Sequence, residues 1–294
     1  MPRTHLADAA IRWYDVHARD LPWRGPGATP WGVLVSEIML QQTPVARVLP
    51  AWHDWLARWP VPAALAADTT AEAIRMWGRL GYPRRAMRLR ECAVAMVARH
   101  GGEVPTDLDA LLALPGVGAY TARAVAAFAF GQRHAVVDTN VRRLVARAHQ
   151  GAADAGPATT AADLATTEDL LPAEPARAAR ASIAFMELGA LICTARAPRC
   201  ADCPLTGACA WHANGRPAAA GPSRRPQQYA GTDRQVRGLL LAVLRDATGP
   251  VPRQRLDVVW TDSVQRDRAL ASLLADGLVE RRDDLFSLAG DTSS

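Results

Sequence analysis

Apolar residues recur along most of this chain at the three-to-four spacing of helices, while the alternation of strands is scarce. Residues 34–41, LVSEIMLQ, and 120–130, YTARAVAAFAF, carry apolar side chains on several faces, as buried helices do. Boundary signals separate such stretches. Thr43-Pro44 places a hydroxyl ahead of a first-turn proline, and Thr106-Asp107 opens a helix into LDALLAL. Gly101-Gly102, Gly131 and Gly151 are the expected helix ends. The bulk of the chain is therefore expected to be all-α.

The pattern changes after Cys209. Residues 213–232, ANGRPAAAGPSRRPQQYAGT, hold glycine, proline and polar residues without period, the signature of a linker. Three short amphipathic helices follow, over 234–247, about 252–260 and about 262–276. LVERRDDLFSL then predicts two strands around a polar turn at Arg282–Asp284. Three helices and a hairpin predict a small winged-helix-like α+β unit.

Composition narrows the setting. Of 294 residues, 49% are apolar, enough for one large globular domain or two to three smaller ones. No apolar run reaches membrane-spanning length, and MPRTHLADAAIRW lacks the apolar core of a signal peptide. The expected place is the cytoplasm, with the nucleoid, and no membrane partner. A net charge of +5 fits a polyanionic partner. All 34 basic residues are arginine, as the base composition of a genome can dictate. The chain can therefore form no lysine Schiff base.

Four stretches carry candidate chemistry. In LPGVGAYT, residues 114–121, Pro115 stops one helix, and Gly116, Val117 and Gly118 form a tight turn. Backbone N–H groups at the start of the next helix can grip a phosphate without reading sequence. In HAVVDTNVRRL, residues 134–144, Asp138 is a helix cap, and a cap holds its carboxylate rigidly. In SEIMLQQT, residues 36–43, Glu37 sits within an apolar helical segment. The segment alone favours a place at the helix edge; if buried, a carboxyl is biased toward its protonated form, which suits a general acid. The fourth stretch is Cys193, Cys200, Cys203 and Cys209, spaced C-x6-C-x2-C-x5-C. A reducing compartment disfavours disulfides. Zinc sites generally pair two short knuckles, and only one short spacing exists here. Four thiolates can also bind a [4Fe–4S] cluster. Arg196 and Arg199 lie in the first gap, and Cys92 falls in a helical apolar segment as core.

Together, LPGVG, the aspartate in VVDTNV and the cysteine spacing resemble the helix–hairpin–helix DNA glycosylases of the endonuclease III superfamily, over roughly residues 10–212. RDLPWR at 19–24, SEIMLQQT and MELGALIC at 186–193 are similar to its adenine glycosylase branch. The resemblance implies a [4Fe–4S] cluster on the four cysteines. It also implies that adenine mispaired with 8-oxoguanine or guanine is flipped from double-stranded DNA and excised. By the same resemblance Glu37 protonates the adenine, Asp138 stabilises the sugar cation, and Asn140 and Tyr120 complete the catalytic set. Arg19, Leu21, Trp23, Arg24, Val45 and Glu187 match adenine-pocket positions. Gln42, Thr43 and Tyr82 match positions that wedge into the duplex, and Gly116, Val117 and Gly118 match the phosphate-gripping hairpin. Tyr120 occupies the hairpin position where the bifunctional branch has its Schiff-base lysine, so efficient strand cleavage is not expected. The chain reads Asp138-Thr139-Asn140 where the branch commonly has D-G-N, and residues 233–294 are too few for the MutT-like domain many of its members carry.

The implied organisation has a six-helix barrel at 27–133, a cluster domain from 1–26 and 134–212, the linker 213–232 and the winged-helix-like unit at 233–294, acting as a monomer. Arg253, Arg255, Arg266 and Arg268 are that unit's candidate DNA contacts. Two other readings compete: a thymine or uracil mismatch glycosylase of the same superfamily, and a non-catalytic iron–sulfur DNA-binding regulator. The first would not need Glu37, and the second would need Asp138 only as a cap.

Overall fold

The computed structural model describes residues 4–156, 158–219 and 229–291. Residues 220–228 of the expected linker lie outside the described residues. The first helices are α1 (Thr4–His17), α2 (Pro30–Met39), α3 (Val45–Arg58), α4 (Pro62–Ala67) and α5 (Thr70–Trp77). Next come α6 (Arg84–His100), α7 (Leu108–Leu112), α8 (Ala119–Phe130), α9 (Thr139–Ala148), α10 (Ala161–Leu170), α11 (Pro175–Leu191) and α12 (Ala210–Ala213). The C-terminal segment adds α13 (Asp233–Asp246), β1 (Val251–Pro252), α14 (Arg253–Asp257), α15 (Ser263–Ala275), β2 (Val279–Arg282) and β3 (Leu285–Leu288). The fold is mostly helical with one small sheet, as the periodicity predicts. Among the described residues no helix is long and apolar enough to cross a membrane.

The chain divides into two compact units. One holds the described residues up to Val33, Thr106–Leu112, and Val117 onward to 219. The other holds Leu34–Pro105, Ala113–Gly116 and 229–291.

In the first unit α11 is the central rod, packed by α1, α8 and α9. Its start is defined by Glu174, whose carboxylate accepts from the N–H groups of Ala176 and Arg177, ahead of Pro175 at the first helical position. Ala178, Ala181, Ala184, Phe185 and Leu188 are buried, and the alanines let neighbouring helices approach closely. Burying Phe185 and Leu188 stabilises the fold by about 2 kcal/mol each. α10 starts on a capping box between Thr160 and Asp163.

In the second unit Trp55 packs edge-on against Trp59 and Trp77, with centroids 4.6 and 5.6 Å apart. The C-terminal segment has the winged-helix order of elements, and its antiparallel sheet runs β1-β3-β2. The third strand, β1, is too short for alternation to reveal; pairing of Val251 with Phe286 defines it. The segment shares one core with α5: Ala71 and Ile74 are buried together with Leu240, Leu273 and Phe286. Arg75 pairs with Asp291, and Arg245 donates to the Gly78 carbonyl.

One boundary expectation is corrected and one is refined. Thr43 does not cap α3, because Pro44 occupies the cap position and no side-chain bond forms there. The Thr43 hydroxyl instead donates toward the Leu80 carbonyl at 3.3 Å and accepts from Arg85 at 3.1 Å. The last helical residue of α9 is Ala148, with His149 bonded back to Val145; Gly151 does not directly follow the helix but turns the chain just past it, with a left-handed φ of 74° and Ala152 N–H bonded back to the Ala146 carbonyl. Gly101 and Gly131 do cap α6 and α8 in the left-handed conformation.

Candidate active site and cysteine loop

Asp138 is the N-cap of α9. One of its oxygens accepts from the N–H groups of Asn140 at 2.9 Å and Val141 at 2.7 Å. The other accepts from the Asn140 amide at 2.7 Å. Three donors therefore fix this carboxylate. Burial pushes its pKa above the ordinary value, and the bonds from Val141 and Asn140 only partly offset that.

Asn140 is tied in turn to Arg143, whose guanidinium donates to Asn140 Oδ1 at 2.8 Å and to the Gly189 carbonyl at 2.7 Å. Arg143 Nε donates to the Cys193 carbonyl at 2.6 Å. A continuous chain of hydrogen bonds thus runs from Asp138 to the first cysteine of the loop. One helical turn on, Arg147 donates toward Cys193 Sγ at 3.5 Å and to the Thr194 carbonyl at 2.8 Å, and lies 4.6 Å over the Trp211 ring. Periodicity marks these arginines as one face of a helix but does not reveal what they hold.

Cys193, Cys200, Cys203 and Cys209 line one cavity, with Leu144, Ile192, Leu205 and Trp211 among its apolar walls. None is in a disulfide. No three metal-ligating side chains among the described residues converge on a single ion's position. Four thiols around one cavity are a donor set that fits a [4Fe–4S] cluster, whose irons take cysteine thiolates. Arg196 and Arg199 are exposed on the loop.

Arg19, Arg24 and Glu187 form a second constellation. Arg19 grips Glu187 through Nε and Nη2, both at 2.7 Å, and Arg24 adds a third bond at 2.7 Å. Glu187 has no solvent exposure. Burial alone would raise its pKa; the bonds to Arg19 and the charge of Arg24 outweigh that and hold it at about 2. Leu21 and Trp23, from the same RDLPWR stretch, are buried around a short 3-10 turn. Tyr120, in the first turn of α8, packs at the edge of a cluster containing Ala124, Val136 and Ala179.

Glu37 is buried, at 6% exposure, within α2, which corrects the helix-edge reading. Every α2 residue from Trp31 to Met39 is buried, so this helix has no solvent face. Glu37 belongs to the second unit and Asp138 to the first. Val45 is partly buried at the start of α3.

In the second unit Gln42, Tyr82 and Gly116 line one groove with Ile38, Arg84, Arg85 and Arg88. Gln42 and Tyr82 both have positive φ, 56° and 49°, a costly backbone for residues with side chains. Arg85, which the sequence does not single out, holds both loops. It donates to the carbonyls of Ile38, Met39 and Gln41 on one side and of Gly81 on the other. Burial lowers its pKa to about 10. Gly116 has φ +77°, and a Cβ there would sit 2.7 Å from the Arg88 Cβ. Gly118 is the N-cap of α8 and carries no side chain over the following amides. Val117, between the two glycines, is buried.

The winged-helix-like unit departs from expectation. Arg253 pairs with Asp257 and Asp267, Arg266 with Asp257, and Arg268 with Asp233. Three of the four arginines expected to face DNA are engaged by carboxylates of their own unit. Arg255 is exposed.

A tight helix–turn–helix over 108–130 and a capped aspartate define a helix–hairpin–helix repair fold, and comparison agrees. Residues 35–167 match the HhH-GPD superfamily of base excision DNA repair proteins. The structure of a thermostable thymine-DNA glycosylase superposes with a TM-score of 0.66 at 27% identity, over 72% of this chain and 97% of that one. The adenine DNA glycosylase of Mycobacterium tuberculosis (strain CDC 1551 / Oshkosh) is 58% identical over 290 residues, 98% of this chain and 95% of that protein. The human adenine DNA glycosylase is 39% identical over 214 residues, 70% of this chain and 39% of that protein. The chain belongs to the adenine DNA glycosylase family of the HhH-GPD superfamily. It is a DNA glycosylase of base excision repair.

Proposed function

We propose that this enzyme hydrolyses the N-glycosidic bond of adenine mispaired with 8-oxoguanine or guanine in duplex DNA, and does not itself cut the strand. The observation that carries the reading is the pair of carboxyl groups in different settings, a buried Glu37 within an apolar helix and Asp138 fixed by three donors. The adenine leaves the stack and enters the site extrahelically. Glu37 gives a proton to the adenine ring as the C1′–N9 bond breaks, its electron pair passing to the base. Asp138, ionised, balances the cationic sugar until water adds at C1′ and loses a proton. Asn140 orients Asp138. Arg19, Leu21, Trp23, Arg24, Val45 and Glu187 shape the adenine pocket. Gln42 and Tyr82 enter the duplex, with Thr43 buried behind them and bonded to Arg85, while the amides at Gly116, Val117 and Gly118 take a phosphate.

Tyr120 supports the absence of lyase chemistry. A phenol cannot form a Schiff base, and the sequence contains no lysine to replace it. Cys193, Cys200, Cys203 and Cys209 would hold a [4Fe–4S] cluster, whose contribution is to tie the loop into one rigid element. The barrel at 27–133, the cluster domain at 1–26 and 134–212, the linker and the C-terminal unit act as a monomer in the cytoplasm, on nucleoid DNA.

The likeness to a thymine-DNA glycosylase supports one second reading, mismatched thymine as substrate. Single-turnover cleavage of duplexes carrying A opposite 8-oxoguanine, A opposite G and T opposite G decides between them. Loss of adenine, with strand breaks only after alkali, is the expected result. Excision of thymine alone would overturn the proposal, and strand breaks without alkali would overturn the monofunctional assignment. Glu37→Gln is expected to abolish adenine excision.

A further inference from the structure

Tyr82 does not stand alone at the rim of its groove. The Arg234 guanidinium, from the first turn of α13, lies 5.5 Å over the Tyr82 ring and 5.8 Å over the Tyr229 ring. Arg85 lies 5.3 Å over Tyr82 as well. These are cation–π distances. All three outer residues are exposed, Tyr82 at 46% and Tyr229 at 53%.

The placement is set by the fold. The core shared with α5 and the Arg75–Asp291 pair anchor the C-terminal segment beside the 78–84 loop. Asp276 of α15 also reaches Arg84, a groove residue, at 3.2 Å. A cation in the first turn of α13 opposes the helix dipole, so helix stability is no reason for an arginine there.

We infer that Arg234 is a DNA-contacting residue which the C-terminal unit contributes to the groove, its guanidinium taking a backbone phosphate of duplex DNA next to Tyr82. This rests on the reading of the Gln42 and Tyr82 loops as the part that meets DNA. The C-terminal unit then meets DNA through the start of α13, not through α14 and α15. Arg234 and Arg85 together give Tyr82 a cationic collar, which supports an aromatic ring in a strained loop and neutralises the strand that ring approaches.

The test is equilibrium binding of the full chain to an undamaged duplex, measured between about 50 and 200 mM salt. Undamaged DNA separates this question from the excised base. Arg234→Gln is expected to weaken binding about 5- to 10-fold and to lower the log–log salt slope by about 1, the signature of one lost phosphate contact. Arg234→Lys is expected to keep the wild-type slope, and Arg255→Ala to change neither quantity. Arg234→Gln with wild-type slope and affinity, at an unchanged melting temperature, would overturn the inference. So would a larger loss at Arg255 than at Arg234. Wild-type protein that binds with the Arg234-dependent slope yet excises no adenine would instead sink the proposed substrate and leave this contact standing.

Discussion

The Arg143 guanidinium joins Asn140 to Cys193: it donates to Asn140 Oδ1 at 2.8 Å and to the Cys193 carbonyl at 2.6 Å. Since Asn140 in turn holds Asp138, the aspartate cap and the cysteine loop share one arginine. Arg143→Ala strips both ends at once and leaves half-buried acceptors behind. We expect a stability loss of about 3 kcal/mol, less iron per protein after purification, and single-turnover excision down at least 10-fold. Metal analysis together with kinetics checks this. Normal excision with full iron would mean that the bridge does no positioning.

Gly189 is where α11 meets this network. A Cβ there would lie 2.6 Å from the Asn140 carbonyl oxygen and 2.9 Å from its carbon. Both are backbone atoms, so a rotamer change cannot relieve the clash. Gly189→Ala is expected to destabilise by about 1–3 kcal/mol, and Asp138 should lose its registration with Asn140. A melting curve and a single-turnover rate test the two effects separately.

Glu187 gives a pH signature. Its folded pKa of about 2 lies below the unfolded value of 4.5, so its pairing stabilises fully above 4.5 and is lost as pH falls toward 2. The stability difference between wild type and Glu187→Gln should shrink by about 3 kcal/mol across that window. Denaturant unfolding at several pH values measures it, and a pH-independent difference would count against a charged Glu187. Glu187→Gln should also raise KM for the mispaired duplex if Arg19 and Arg24 face the adenine.

Gln42 carries a backbone cost that glycine would not. Its φ of 56° and exposed side chain make Gln42→Gly a strain-relieving change worth about 1 kcal/mol of stability. The same change should weaken binding to mispaired DNA. A variant that gains stability and keeps full affinity would show that the Gln42 side chain does not contact the duplex.

Local features were legible and long-range ones were not. The hairpin glycines, the Asp138 cap and the cysteine spacing are contiguous signals, and each sits in the local structure that its residues demand. Glu37 is less transparent, because one polar residue in an apolar run is compatible with an edge or an interior until the packing on every side is known. The grip of Arg19 and Arg24 on Glu187 spans more than 160 positions of sequence and leaves no periodic trace. Arg85 is similar. Its five acceptors include four backbone carbonyls, which no sequence pattern advertises. The arginines of the C-terminal segment were readable as charge, but their pairing depends on which carboxylates the turns bring near.

The shared core around Ala71 and Ile74 has a consequence for ancestry and engineering alike. A terminal module strung on a tether can be exchanged like a cassette, since nothing upstream depends on its shape. This one cannot. Removing it would leave an oily scar on α5, and any replacement would need a complementary face before it could bring a new recognition element. The tail and the catalytic body of this enzyme must therefore change together, one compensating step at a time.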